Sequence, residues 1–159
     1  VYLARILASS PDAPSRLRAA VAAGYGDFTA AELEQRLSHF EAEDALIDSA
    51  AKVLAVGDLD AFGESVARSQ EWTESMLGNQ VPETILLAQA ARHHGAAAAS
   101  AFGAGFGGCV WALVRSDGGA DFLQAWAGAF HGRFPRQIGG SHFFTSPAGP
   151  AAFELNGTE

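Results

Sequence analysis

The stretch FGAGFGGCVWALV, residues 102–114, decides how this chain folds. Gly103, Gly105, Gly107 and Gly108 fall within six residues, and an apolar run of strand-forming residues follows at once. Gly103, Gly105 and Gly108 have the spacing G-x-G-x-x-G. A dinucleotide site needs more than that spacing. It needs a strand before the glycines, a helix opening at their end, and an acidic residue about twenty positions on. Here Cys109 to Val114 read as a strand and the turn RSDGG cuts them off, so no helix opens. Asp121 lies near the required distance but starts the next helix instead of ending a strand. A Walker phosphate loop fails too, because no Gly-Lys-Ser or Gly-Lys-Thr is present. What remains is a glycine loop between two strands. Its bare amides either converge on an anion at positive φ, or let two packed elements touch.

Outward from the loop, the earlier sequence reads as helical. Pro11 and Pro14 interrupt a first apolar segment, and RLRAAVAAG stops at Gly24. Thr29 with Glu32 three residues later has the capping-box spacing. From there Leu33, Leu37, Phe40, Asp44, Ile47, Ala51 and Leu54 form a seam at steps of three and four, which predicts a long helix ending at Gly57. Asp58 caps a further helix whose seam is Leu59, Phe62, Val66, Ser69, Thr73 and Met76, stopped by Gly78. Pro82 opens ETILLAQAARHHG. After the glycine loop comes a helix with Phe122, Leu123, Trp126 and Phe130 on one face. SHFFTS (residues 141–146) and AAFEL (151–155) read as closing strands. Helices first and a small sheet later predict a single α+β domain over residues 1–159. It is a helical bundle packed on a mostly antiparallel, four-stranded sheet.

The chain is 48% hydrophobic with eleven Phe and three Trp, enough apolar content for a folded core. Eighteen acidic against ten basic residues give a formal charge of -8, which argues against nucleic acid as a partner. Backbone amides can still bind a phosphorylated small molecule. Cys109 is the single cysteine, so no internal disulfide forms, and a reducing cytoplasm is the expected location. No apolar run reaches membrane-spanning length. Val1 opens inside a helical stretch without an initiator Met, so we expect the later part of a longer protein.

GAGFGGC (Gly103, Ala104, Gly105, Phe106, Gly107, Gly108, Cys109) followed by an apolar strand resembles the third motif of the GHMP small-molecule kinases, most closely the galactokinase branch. RLSHFEAED (36–44) is similar to that family's His-x-x-x-Glu helix, and AVGDLDAFGESVARSQEW to its Gly-Asp-Leu turn and following helix. VPETILLAQAAR and SHFFTSPAGPAAFEL resemble its later segments. Two positions depart from the pattern. Ser100 stands where the family has a basic residue, and Phe102 where it has Thr or Ser.

The resemblance implies a ferredoxin-like carboxyl-terminal domain of an ATP-dependent, galactokinase-like sugar kinase, with Mg2+ neutralising phosphate charge. Gly103, Ala104, Gly105, Phe106, Gly107 and Gly108 would then help enclose the phosphates. No Ser-rich phosphate loop is present, so ATP, Mg2+ and the sugar would be held mainly by an amino-terminal domain, and this chain alone would be inactive. A non-catalytic sugar- and nucleotide-sensing homologue is the alternative. Other residues have plainer readings. His93 and His94 sit at a helix end, complementing its dipole. His39 and Glu43 form an i, i+4 pair. Asp44 faces a neighbouring helix or domain. Trp72, Trp111 and Trp126 fill the core, and Cys109 is a small apolar residue of a buried strand.

Overall fold

The computed structural model describes residues 3–149. Two short helices lead, α1 (Leu3–Leu7) and α2 (Ala13–Val21), the second with a proline in its first turn, where its missing N–H is no loss. Arg18 of α2 fastens this pair to the next helix. Its Nε donates to Glu34 Oε1 at 3.0 Å, and its two terminal nitrogens grip the Glu41 carboxylate.

α3 (Ala30–Ala55) opens with the expected capping box. Glu32 N–H donates to Thr29 Oγ1 at 3.2 Å, and Thr29 N–H donates to Glu32 Oε2 at 2.8 Å. The helix ends at Gly57, φ 75°. Its buried seam follows the expected line only as far as Phe40. Beyond it Asp44 and Ala51 are exposed and Ile47 is 63% exposed, while Glu43, Leu46, Ala50 and Val53 turn inward. The inward row is displaced by one residue from the expected row, since both rows carry apolar residues and periodicity does not separate them.

Asp58 caps α4 (Leu59–Trp72), accepting from Ala61 N–H at 3.0 Å. α4 continues as one π turn, Thr73–Leu77, closed by Gly78 N–H donating to Thr73 O at 3.0 Å. α5 (Pro82–His93) and the buried alanines Ala96, Ala98 and Ala99 lead into β1 (Ala98–Phe102). The small side chains permit close approach here. A Cβ on Gly63 of α4 would lie 1.9 Å from Ala97 O. β1 pairs antiparallel with β2 (Cys109–Leu113), Ser100 opposite Trp111 and Phe102 opposite Cys109. α6 (Gly119–Arg133) then covers one face. Ala90, Ala91, Ala96, Ala99, Phe122 and Trp126 form its core, with Val110 and Ala112 packed against it. Trp126 Nε1–H donates to Leu87 O at 2.8 Å.

The architecture is α+β, as expected, but the described residues hold a two-stranded sheet, not four strands. Residues 141–146 run as irregular chain without ladder bonds. What holds this segment is an aromatic contact: the Phe143 ring meets Trp126 edge-on at 5.3 Å. The expected strand at 151–155 lies outside the described residues. Trp126 is core, but Trp111 is 37% exposed and Cys109 is exposed. The pleat explains this correction. Alternate residues of β2 point to opposite faces, and α6 covers only the face bearing Val110 and Ala112.

Candidate functional site

The glycine loop joins β1 to β2 at one end of the hairpin. Gly103, Gly105, Gly107 and Gly108 have φ of 88°, 86°, 112° and 102°. Phe106 has φ 62° and is the one non-glycine with positive φ among the described residues. Such a conformation costs an L-residue on the order of 1–3 kcal/mol and persists only where surroundings impose it. Here Asn79 imposes it. The Phe106 N–H donates to Asn79 O at 2.5 Å, and Asn79 Nδ2–H donates to Ala104 O at 3.0 Å. Gly105 lies flush on the same residue: a Cβ there would come within 2.3 Å of Asn79 O. Glycine at 105 is therefore required twice, by φ and by space.

Asn79 is positioned by the elements before and after it. The π turn and left-handed Gly78 deliver it to the hairpin tip. Behind it, Gln80 Nε2–H donates to Asn79 Oδ1 at 3.2 Å, and Thr84 Oγ1–H donates to Gln80 Oε1 at 2.9 Å. Thr84 is buried and receives Val81 N–H at the start of α5. A π turn inside a helix often marks a working site. Nothing in the sequence reading singled out Asn79. The signal available was the Gly-Asn pair directly after a helical seam, followed within three residues by proline.

Gln70 supports the same strand from the side. It is fully buried on α4, and its Oε1 accepts from Ala101 N–H at 2.8 Å and Ser100 Oγ–H at 3.0 Å. One side-chain amide thus satisfies one outward N–H of β1, which has no strand on that side to pair with. Sequence reasoning missed Gln70 because it lies one position beyond the expected seam.

The six predicted loop residues are thus brought together at one hairpin tip, with Phe102 and Phe106 exposed at its rim. Among the described residues, Phe106 supplies the one loop amide held by a carbonyl outside the hairpin. The tip carries no side-chain charge, and Gly103, Gly107 and Gly108 have open space where a Cβ would stand. The Ser100 hydroxyl is turned away into Gln70. For a divalent cation the fit is poor: no group of three His, Cys, Asp or Glu that could hold one occurs among the described residues. His93 and His94 stack edge-on at the end of α5, both exposed. His39 and Glu43 approach to 3.9 Å on α3. No helix among the described residues is long and apolar enough to cross a membrane.

A family model described as GHMP kinases C terminal matches residues 46–132, which include the whole glycine loop. The chain matches no curated protein. Among solved structures it is similar to a galactokinase from Lactococcus lactis complexed with galactose, with TM-score 0.63 and 28% identity over 74% of this chain. The match covers 31% of that galactokinase, so the chain spans under a third of its length.

Proposed function

The chain belongs to the GHMP kinase C-terminal family, and from that premise we propose that it is the carboxyl-terminal lobe of a galactokinase-like sugar kinase. In this reading the loop from Gly103 to Gly108 closes over the phosphates of ATP from one side of an interdomain cleft. An amino-terminal domain supplies the groups that bind Mg2+ and the sugar and that perform catalysis. Bound ATP provides the phosphoryl group that passes to a sugar hydroxyl. This chain's own part is to enclose and orient. Phosphoryl transfer asks chiefly for positioning and charge stabilisation, so a shaped set of amides is a sufficient contribution.

The observation that carries the reading is the run of positive φ at Gly103, Gly105, Phe106, Gly107 and Gly108, anchored by Asn79 through Phe106 N–H and Ala104 O. A tight connection needs only one or two such residues. The test is ADP release by a protein that carries this chain together with its amino-terminal domain, assayed against a panel of sugars. We expect one sugar to be turned over, Gly105→Ala to lower kcat/KM at least tenfold, and the 159-residue chain alone to release no ADP. Turnover by the isolated chain would refute the division of labour.

A sensor without catalysis is the second reading, and one observation favours it. Phe102, which stands where the motif it resembles has Thr or Ser, is 70% exposed at the loop rim, and the Ser100 hydroxyl is occupied by Gln70. Binding of ATP and sugar by the whole protein, without ADP release for any sugar, would select the sensor.

A further inference from the structure

A groove of ≈ 660 Å³ opens at the end of the hairpin far from the glycine loop, between the first half of α4, the end of α5 and the end of β2. Small residues line it where these elements meet: Gly63 and Ala67 from α4, Ala96 and Ala97 from the entry to β1. Leu59, Leu113 and Val114 add aliphatic surface. Asp60 and Glu64, one turn apart on α4, bring negative charge, while Arg92 of α5 and Arg115 just after β2 bring positive charge. Among the described residues no ion pair within 4.0 Å joins these acids to these arginines. Arg115 is paired instead with Asp117, at 2.9 Å.

Arg92 is the unusual member. It is half-buried, and no acceptor among the described residues takes a hydrogen bond from its guanidinium. Nη1 is fully enclosed, whereas Nε and Nη2 keep accessible surface. Desolvating part of a cation without giving it an acceptor is costly, which favours an anion at the open side. The Nε–H and Nη2–H pair is a fork that takes both oxygens of one carboxylate. A simple anion would meet Asp60 and Glu64 on the α4 wall. A divalent cation lacks ligands, since no group of three His, Cys, Asp or Glu that could hold one occurs among the described residues. A molecule carrying both a carboxylate and an ammonium suits both walls, and its hydrocarbon part finds the leucines and alanines.

We propose that this groove binds an aliphatic zwitterion, a free amino acid, whose carboxylate takes the Nε and Nη2 side of Arg92 and whose ammonium lies toward Asp60 and Glu64. The hydrocarbon part rests on Leu59, Ala67 and Leu113. The site lies at the opposite end of the hairpin from the glycine loop and does not depend on the reading of that loop as a phosphate clamp. A nucleotide is disfavoured here, because its several negative charges would face the two acids.

The test is a titration of the 159-residue chain at pH 7 with two zwitterions, L-leucine and 6-aminohexanoate, and two single ions, hexanoate and n-hexylammonium, followed by amide NMR shifts. We expect saturable shifts at Gly63, Ala97 and Leu113. At least one zwitterion should bind about tenfold more tightly than either single ion, as a second charge-assisted hydrogen bond requires. Which zwitterion wins tells whether the amine stands beside the carboxylate or several methylenes from it. Arg92→Leu should abolish binding of the zwitterion. Replacing both exposed acids, Asp60→Asn with Glu64→Gln, should weaken the zwitterion about tenfold and tighten hexanoate, a reversal that a merely structural role would not produce. Thermal melts establish that the variants are folded, and the doubly substituted chain suffices should Arg92→Leu not fold. A single ion binding as tightly as both zwitterions, an unchanged preference in the doubly substituted chain, or no saturable shift would each overturn the proposal.

Discussion

At the scale of single residues, burial and hydrogen bonding separate side chains that look alike in the sequence. Gln70 and Glu71 are neighbours, yet one is fully buried and the other exposed. Replacing Gln70 by Leu removes the acceptor for Ala101 N–H and should destabilise the chain by about 1–3 kcal/mol, measured by urea unfolding. Glu71→Leu should leave the midpoint nearly unchanged. At the loop, Asn79→Ala removes the side-chain bond to Ala104 O, and if the loop encloses ATP as proposed, nucleotide affinity should fall about tenfold while folding stability changes little. The glycine residues were legible in the sequence because their cost elsewhere in a chain is high. Asn79 and Gln70 were not, because their roles arise from partners 25 to 31 residues away.

At the scale of elements, helix limits were legible, and so was the face of α6, where Phe122, Trp126 and Phe130 are buried as expected, but the later face of α3 was not. Caps are local chemistry: Thr29, Glu32, Asp58 and Gly57 sit where their types place them. Hydrogen bonds from Thr29, first from its backbone and then its hydroxyl, hold the Glu32 carboxyl below its ordinary value of 4.5. Its folded-state pKa is depressed, so its contribution is present above pH 4.5 and is lost as pH falls through the lower folded value. The first turn of α3 should therefore lose amide protection, relative to the intrinsic exchange rate at each pH, on acidification, and Glu32→Gln should remove that pH dependence. Thr29→Ala should cost about 1 kcal/mol. The face of α3 depended on which of two adjacent rows found a partner. Ser69 on α4 bonds Glu43, so the Glu43 row turns inward and Asp44 is left to water. The contact of α4 with the entry to β1 is equally specific. Gly63→Ala would drive a methyl into Ala97 O, and the strand or helix must shift, at about 1–3 kcal/mol by thermal or urea melts.

At the scale of the molecule, two layers of different character meet along the hairpin. One face of the sheet is closed by α5 and α6 through alanine, Phe122 and Trp126. The other carries Trp111 and a cavity beside Glu43. The expected sheet of four strands was read from strand-forming composition alone. For 141–146 that composition serves aromatic packing of Phe143 on α6, and β-propensity describes fit to a half-buried surface as much as a ladder. Since α4 carries a π turn, it holds one more residue in that turn than an ordinary helix would. Deleting Ser75 should therefore turn the Thr73–Gly78 bond into an ordinary i→i+4 bond and leave Gly78 and Asn79 near their places, with Asn79 still on the hairpin tip. The wide turn thus works as slack in the chain: it takes up one residue of length without moving the clasp at its end.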